Sequence, residues 1–382
     1  MIDMAARVAS PKIHVMVVVG TRPEAIKMAP IVNELQARQD VFSLTLVNTG
    51  QHREMVDQVL SIFDIQPEID LDIMEENQSL STIFSKVSTA LEPVFARQKP
   101  HILLVEGDTS TVVVTALMAF YNRIDVGHVE AGLRTNDIYN PFPEEVNRRI
   151  TSVISTIHFA PTAWAKNNLL KEGYSENAIF ITGNPVIDAL LKAMDIDCPL
   201  PESLQEIDRD SRKVILVTAH RRENHGKPLA DICQAILELA STYEDLLFVY
   251  PVHPNPNVES VVGKMLSGKA GIILTPPLEY LPFIRLMKKS YLILTDSGGI
   301  QEEAPTLKTP VLVLRKTTER PEAQEAGTAR VVGTETRDIV NGVAELLKSR
   351  KKYDGMVSPK NPFGDGRASA RIAEIILSRY SH

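Results

Sequence analysis

Three carboxylates in the first half of the sequence stand where proton transfer could use them. Asp108 ends the apolar run Ile102-Leu103-Leu104-Val105-Glu106-Gly107, Glu130 ends His128-Val129, and Glu144 follows Pro141-Phe142-Pro143. If the two runs are neighbouring parallel strands, their C-terminal ends share one edge, and a base and an acid can converge there. An aspartate before Thr109-Ser110 is also a good helix N-cap, and surface ion pairs use the same residue types, so type and spacing leave Asp108 open. Glu130 lies in an apolar, glycine-rich neighbourhood that gives it fewer such uses.

Anion binding is the second chemistry on offer. A strand running into a turn with arginine, glutamate and a helix start occurs twice, as His14 to Val19 followed by Gly20-Thr21-Arg22-Pro23-Glu24, and as Lys213 to Thr218 followed by Ala219-His220-Arg221-Arg222-Glu223-Asn224. A helix N-terminus presents unpaired backbone N–H groups and a partial positive charge, which suits phosphate. Each half also has an apolar run that stops on an aspartate and small residues, the second being Tyr291 to Thr295 followed by Asp296-Ser297-Gly298-Gly299. Those glycines let backbone approach a ligand, and the planar fork of Arg22 matches phosphate oxygens; tight turns and a solvated arginine would use the same residues. No Gly-x-Gly-x-x-Gly or Gly-x-x-x-x-Gly-Lys-Ser/Thr follows any apolar run, which argues against a nicotinamide site and a P-loop. His220 to His225 lacks the spacing and third ligand of a metal centre, so no metal is expected.

Short apolar runs alternating with longer amphipathic ones must position these groups, the pattern of repeated β-α units around parallel sheets. Strands are expected near 13–19, 43–48, 101–106, 124–129, 156–160 and 178–182, then near 213–218, 246–250, 271–274, 291–295, 310–314 and 330–332. The two sets imply an α/β protein with two Rossmann-like domains facing a cleft, over 1–195 and 196–366. The charged stretch from Asp195 to Lys213 carries no apolar stripe and reads as the connection. A final amphipathic helix within 367–382 is expected to return to the first domain.

Composition bounds the partners. The 382 residues are 44% hydrophobic with a net charge of −7, so neither nucleic acid nor an anionic membrane is an expected partner. The apolar stretches are too short to span a bilayer, Met1 to Lys12 lacks a signal-peptide core, and the two cysteines, Cys198 and Cys233, have no metal-ligand spacing. The cytoplasm is the expected location.

Gly20-Thr21-Arg22-Pro23-Glu24, Gly50-Gln51-His52, Gly107-Asp108-Thr109, His128 to Arg134, Pro143-Glu144-Glu145-x-Asn147-Arg148, Thr218 to Glu223, Asp296 to Glu303 and Thr318-Glu319-Arg320-Pro321-Glu322 follow one another in that order. Together they resemble the non-hydrolysing UDP-N-acetylglucosamine 2-epimerases, from about residue 13 to the Asn361 to Gly366 stretch. The resemblance implies the glycosyltransferase-B fold and interconversion of UDP-N-acetylglucosamine and UDP-N-acetylmannosamine without a cofactor. UDP would be eliminated to give a 2-acetamidoglucal and then added back.

By the same resemblance, Arg22, Lys27, Phe283, Ser297, Gly298, Gly299, Glu303 and Arg320 would bind the UDP-sugar, with Phe283 near uracil and Glu303 on the ribose. Asp108, Glu130 and Glu144 would move the proton, and His220 would lie near the leaving diphosphate. Gln51, Arg221 and His253 match positions where regulated members hold a second UDP-N-acetylglucosamine as activator. A homodimer and a role in surface polysaccharide synthesis are also implied. Leu278 replaces a polar residue found near uracil in some members, and Glu106 replaces a common His or Gln. A glycosyltransferase of the same fold, a UDP-sugar-binding module, a 2-epimerase of a modified UDP-sugar and a hydrolysing relative remain alternatives.

Overall fold

The computed structural model describes residues 12–51, 53–73 and 78–381, so His52 of the Gly50-Gln51-His52 motif lies outside the described residues. The chain divides into two compact units, 1–189 with 364–382, and 190–363.

In the first unit, β1 (Ile13–Val19), β2 (Phe42–Asn48), β3 (Ile69–Asp70), β4 (Ile102–Glu106), β5 (Asp125–Val129), β6 (Ile157–Ala160) and β7 (Ile179–Ile181) form a parallel sheet in the order β3-β2-β1-β4-β5-β6-β7. The connections carry α1 (Arg22–Ala37), α2 (Arg53–Ile62), α3 (Leu80–Gln98), α4 (Ser110–Tyr121), α5 (Glu144–Ile154) and α6 (Ala163–Lys171), and α7 (Pro185–Met194) follows β7 and runs across the boundary between the units. The near-continuous apolar sequence of β1 follows from its central place, since a strand covered on both faces has no use for polar alternation. Val15, Met16, Val17 and Val19 are fully buried. Strand order reverses between β1 and β4, and ligands of such sheets bind beyond the strand ends at that point.

The second unit repeats the plan. Here β8 (Lys213–Thr218), β9 (Leu246–Pro251), β10 (Ile272–Thr275), β11 (Leu292–Thr295), β12 (Val311–Val313) and β13 (Ala329–Val331) form a parallel sheet ordered β10-β9-β8-β11-β12-β13, with its reversal between β8 and β11. Its helices are α8 (Lys227–Thr242), α9 (Pro256–Leu266), α10 (Tyr280–Lys289), α11 (Gly298–Glu303), α12 (Pro321–Glu325), α13 (Thr336–Lys348) and α14 (Arg350–Val357). The expected bare connection is instead part structured: a short 3-10 helix covers Glu202–Asp208, and Leu200, Leu204 and Ile207 are buried. Three spaced apolar residues suffice to anchor such a turn without forming a helical stripe. The second copy of the turn motif also differs from expectation, since Arg222–Asn224 form a 3-10 turn and α8 opens only after Gly226, which sits at φ 79°.

The last helix, α15 (Ala368–Tyr380), belongs to the first unit and packs on α1. Ile372, Ala373 and Ile376 are fully buried. Asp188 on α7 accepts from the backbone N–H groups of Ala368 (3.1 Å) and Ser369 (2.8 Å), pinning the N-terminus of α15. At its far end Tyr380 donates its hydroxyl to Asp125 at 2.5 Å.

Candidate functional site

Beyond the ends of β1, β4 and β5, a buried group of charges gathers around Lys27 on α1. Its ammonium lies 2.8 Å from Glu106 Oε1 and 2.7 Å from Glu130 Oε2. Asn184 donates to the other oxygen of Glu130 at 3.0 Å, and Glu130 itself holds a left-handed backbone at φ 62°. A side chain in that conformation is costly for a residue other than glycine, and such strain tends to sit at functional positions. Asp108 is not the cap of α4. Thr109 caps it, accepting from Val112 N at 3.3 Å, while the Asp108 carboxylate pairs with Arg148 and its carbonyl accepts from Asn147 at 2.9 Å.

Burial governs how these acids titrate. Burial raises the Asp108 carboxyl above its ordinary range, Arg148 opposes the rise, Glu130 adds to it and Lys27 opposes it. His128 on β5 is pushed down to about 3 by burial, so its ring is neutral as it bonds the Gly107 carbonyl at 2.8 Å. Carboxyl groups held nearer neutrality are suited to giving and taking protons at physiological pH.

The polar side of α5 faces inward and serves this group. Glu145, Asn147, Arg148, Thr151 and Ser152 are buried, whereas Val146, Ile150 and Val153 are exposed. Glu145 accepts from the backbone N–H groups of Thr135 and Asn136 and pairs with Arg148 and Arg149. Glu144, at the first position of α5, is half-buried.

The backbone donors of the first turn are already engaged. Glu24 on α1 accepts from Gly20 N at 2.7 Å and Thr21 N at 3.3 Å, and Thr109 donates to its other oxygen. An anion in this unit would therefore meet the Arg22 and Lys27 side chains rather than those two N–H groups. Gln51 accepts a hydrogen bond from the Thr111 hydroxyl.

In the second unit Asp296 does for the β8 turn what Glu24 does for the β1 turn. It is wholly buried, and its Oδ2 accepts from His220 N and Arg221 N at 2.8 Å each and from Asn224 at 2.9 Å. The His220 ring stacks on His253 with centroids 5.3 Å apart. Burial lowers His220 below the usual histidine value; Asp296 pulls the other way, and His253, Arg221 and His225 add to the fall. At Gly298, the opening residue of α11, a Cβ would lie 3.7 Å from the Arg320 guanidinium and 3.9 Å from that of Arg221. Two guanidinium groups thus flank a backbone with no side chain, an arrangement fitted to a diphosphate. Arg320 is held in place by Glu302 through its Nε. Phe283 is half-buried on α10, and Glu303 is buried on α11.

The family model described as UDP-N-acetylglucosamine 2-epimerase matches residues 33–377. This chain belongs to that family of isomerases. It is 51% identical over 369 residues to the UDP-N-acetylglucosamine 2-epimerase of Escherichia coli (strain K12), covering 95% of this chain and 98% of that one. Among solved structures it resembles the UDP-GlcNAc 2-epimerase from Neisseria meningitidis bound to UDP-GlcNAc, at TM-score 0.88, 48% identity and coverage of 96% and 100%. It also resembles that of Methanocaldococcus jannaschii in complex with UDP-GlcNAc and UDP, at TM-score 0.80, 34% identity and coverage of 96% and 99%.

For this family member the structure brings Lys27, Asp108 and Glu130 together in the first unit, and His220, Arg221, His253, Gly298 and Arg320 in the second. Gln51 stands in the first unit, apart in sequence and unit from Arg221 and His253. Motif reading missed the parts of Glu24, Asn147, Arg148, Asn184 and Glu302, and had no use for Glu106. Arg148 carried one signal, lying one helical turn beyond Glu144.

Proposed function

We propose that the protein interconverts UDP-N-acetylglucosamine and UDP-N-acetylmannosamine by inverting carbon 2, without releasing free sugar. The observation that carries this reading is the gathering of half-buried Asp108 and Lys27 about buried Glu130 near the strand ends, within a chain about half identical to named 2-epimerases. The carbon 2 proton has no adjacent carbonyl to make it acidic, so simple deprotonation is prohibitive. Elimination avoids that. A carboxylate takes the proton, the C–H electron pair becomes the C1–C2 double bond of a 2-acetamidoglucal, and UDP departs with the C1–O pair. Arg320 and the backbone at Gly298 would receive the diphosphate charge, with neutral His220 as a hydrogen-bonding neighbour and Ser297, Gly299 and Arg22 alongside. Re-addition of UDP with a proton on the opposite face gives the epimer. Asp108, Glu130 and Glu144 supply the proton-transfer set, Phe283 meets uracil and Glu303 the ribose. No cofactor enters the scheme.

The finer assignments follow from this reading. Gln51, Arg221 and His253 are assigned to a second UDP-N-acetylglucosamine acting as activator, and the product is assigned to surface polysaccharide synthesis. The exposed apolar side of α5 is assigned to a homodimer contact. The unpaired cysteines support a cytoplasmic location; among the described residues no helix is long and apolar enough to cross a membrane.

Incubation with UDP-N-acetylglucosamine in deuterated water tests the proposal. Both UDP-linked epimers should appear by NMR with deuterium at carbon 2. Free N-acetylmannosamine with UDP would instead identify a hydrolysing enzyme, and an unchanged substrate that turns over only with an acceptor would identify a glycosyltransferase.

A further inference from the structure

Glu106 ends β4 with its side chain 2% exposed, and the Lys27 ammonium that it meets at 2.8 Å also meets Glu130 at 2.7 Å. Two carboxylates on one cation in a buried place cannot both be cheaply ionised, because their mutual repulsion grows as water is excluded. With both charged the three groups carry a net negative charge; with one proton between the acids they are neutral. We propose that Glu106 and Glu130 hold one proton between them across the Lys27 ammonium, which makes Glu106 a positioning residue that sets the charge of Glu130. The inference rests on the epimerase reading, since Glu130 belongs to its proton-transfer set.

The surroundings support a single ionised member. Burial pushes Glu106 well above the usual carboxylate range, Lys27 opposes this, and the charge and hydrogen bond of Glu130 add to it. Asp108, the next acid along the same edge, has its own cation in Arg148 from α5. Glu24 on α1 is occupied by Thr109 and by backbone N–H groups, and His128 on β5 is neutral. Among the described residues, Lys27 is a cation paired directly with both acids. Glu130 is the better placed to be the ionised member, because Asn184 donates to its Oε1 while Lys27 donates to its Oε2. A neutral Glu106 leaves the Lys27 charge undivided, and Glu130 free to accept a proton. Loss of the shared proton at higher pH would put a second negative charge beside a reaction that expels an anion.

The test pairs infrared spectroscopy with kinetics. Wild type, Glu106→Gln and Glu130→Gln are titrated in deuterated water and the protonated-carboxyl stretch is followed; kcat and KM are measured across pH for wild type and Glu106→Gln. The expected result is a wild-type band at neutral pH that is missing from Glu106→Gln. In Glu130→Gln the same band should titrate about one unit or more lower, because the like charge is gone. Turnover of the wild type should fall on the alkaline side as the band is lost, and in Glu106→Gln, which stays neutral at every pH, that limb should move to higher pH with KM little changed. Unchanged bands in both variants, or a Glu106→Gln profile parallel to wild type at a uniformly lower level, would overturn the proposal. Should Glu106→Gln not fold, Glu106→Asp withdraws the acid from Lys27 and must shift the band; no shift overturns the proposal equally. Coupled bands in a wild type that forms no epimer would instead sink the epimerase reading and leave the shared proton standing.

Discussion

Asp108 shows how one residue can be tuned against stability. Burial raises its carboxyl despite the neighbouring Arg148, so the folded chain binds that proton more tightly than the unfolded chain does. The stabilising contribution is therefore complete below the ordinary aspartate value of about 4 and is lost as pH rises through the raised one. Asp108→Asn should accordingly gain melting temperature relative to wild type as pH rises above the ordinary aspartate value. A difference that shrinks with rising pH would contradict the raised value. The same change, and Glu130→Gln or Glu144→Gln, should each lower turnover by about a hundredfold or more while UDP still binds, as expected when a general acid or base is lost. Near-normal kcat in all three would remove the proton-transfer set. Arg320→Ala should act on the other quantity, weakening UDP binding by about tenfold or more through a lost charge-assisted contact, as calorimetry can measure.

Elements were more legible than the contacts that hold them. Twelve strands fall within a residue or so of the positions their apolar runs predict, because a strand buried on both faces writes its burial into consecutive residues. β3 escaped, since Ile69–Asp70 is an edge pairing of two residues with no run to announce it. Asp108 and Glu130 could be placed together because parallel strands end on one edge, whereas Lys27, inside α1, entered only through the family resemblance and as a nucleotide ligand. Glu24, Asn184 and Arg148 could not be placed, as they reach Thr109, Glu130 and Asp108 at separations of 85, 54 and 40 residues and depend on how helix ends meet the sheet. Asp188 is a similar case, and it anchors an element. Asp188→Ala strips two acceptors from the first turn of α15 and should cost about 1–2 kcal/mol, comparable to a lost N-cap. Hydrogen exchange should speed up selectively over 368–380. Uniform protection across the unit would mean that apolar packing of Ile372 and Ile376 holds the helix unaided.

For the whole molecule, α5 turns its apolar side outward. Val153 is 75% exposed and Ile150 41%, with Phe120 and Tyr121 exposed at the end of the neighbouring α4. Exposed apolar groups of this kind mark contact surfaces. Val153→Glu should shift a dimer to monomer in sedimentation, with little effect on the fold because the side chain is already outside. A dimer of unchanged mass would place the contact elsewhere, and a monomeric wild type would remove the proposed dimer. The return of α15 to the first unit has another consequence, which lies in time. Synthesis delivers the chain from its N-terminus, and domains fold as their residues emerge. The second unit, ending at Phe363, has its whole sequence available before the first unit receives residues 364–382. During every round of translation, the side of α1 that α15 covers waits uncovered until residues 368–380 have left the ribosome. A nascent-chain chaperone therefore has its opportunity on α1 for as long as the whole second unit takes to be made.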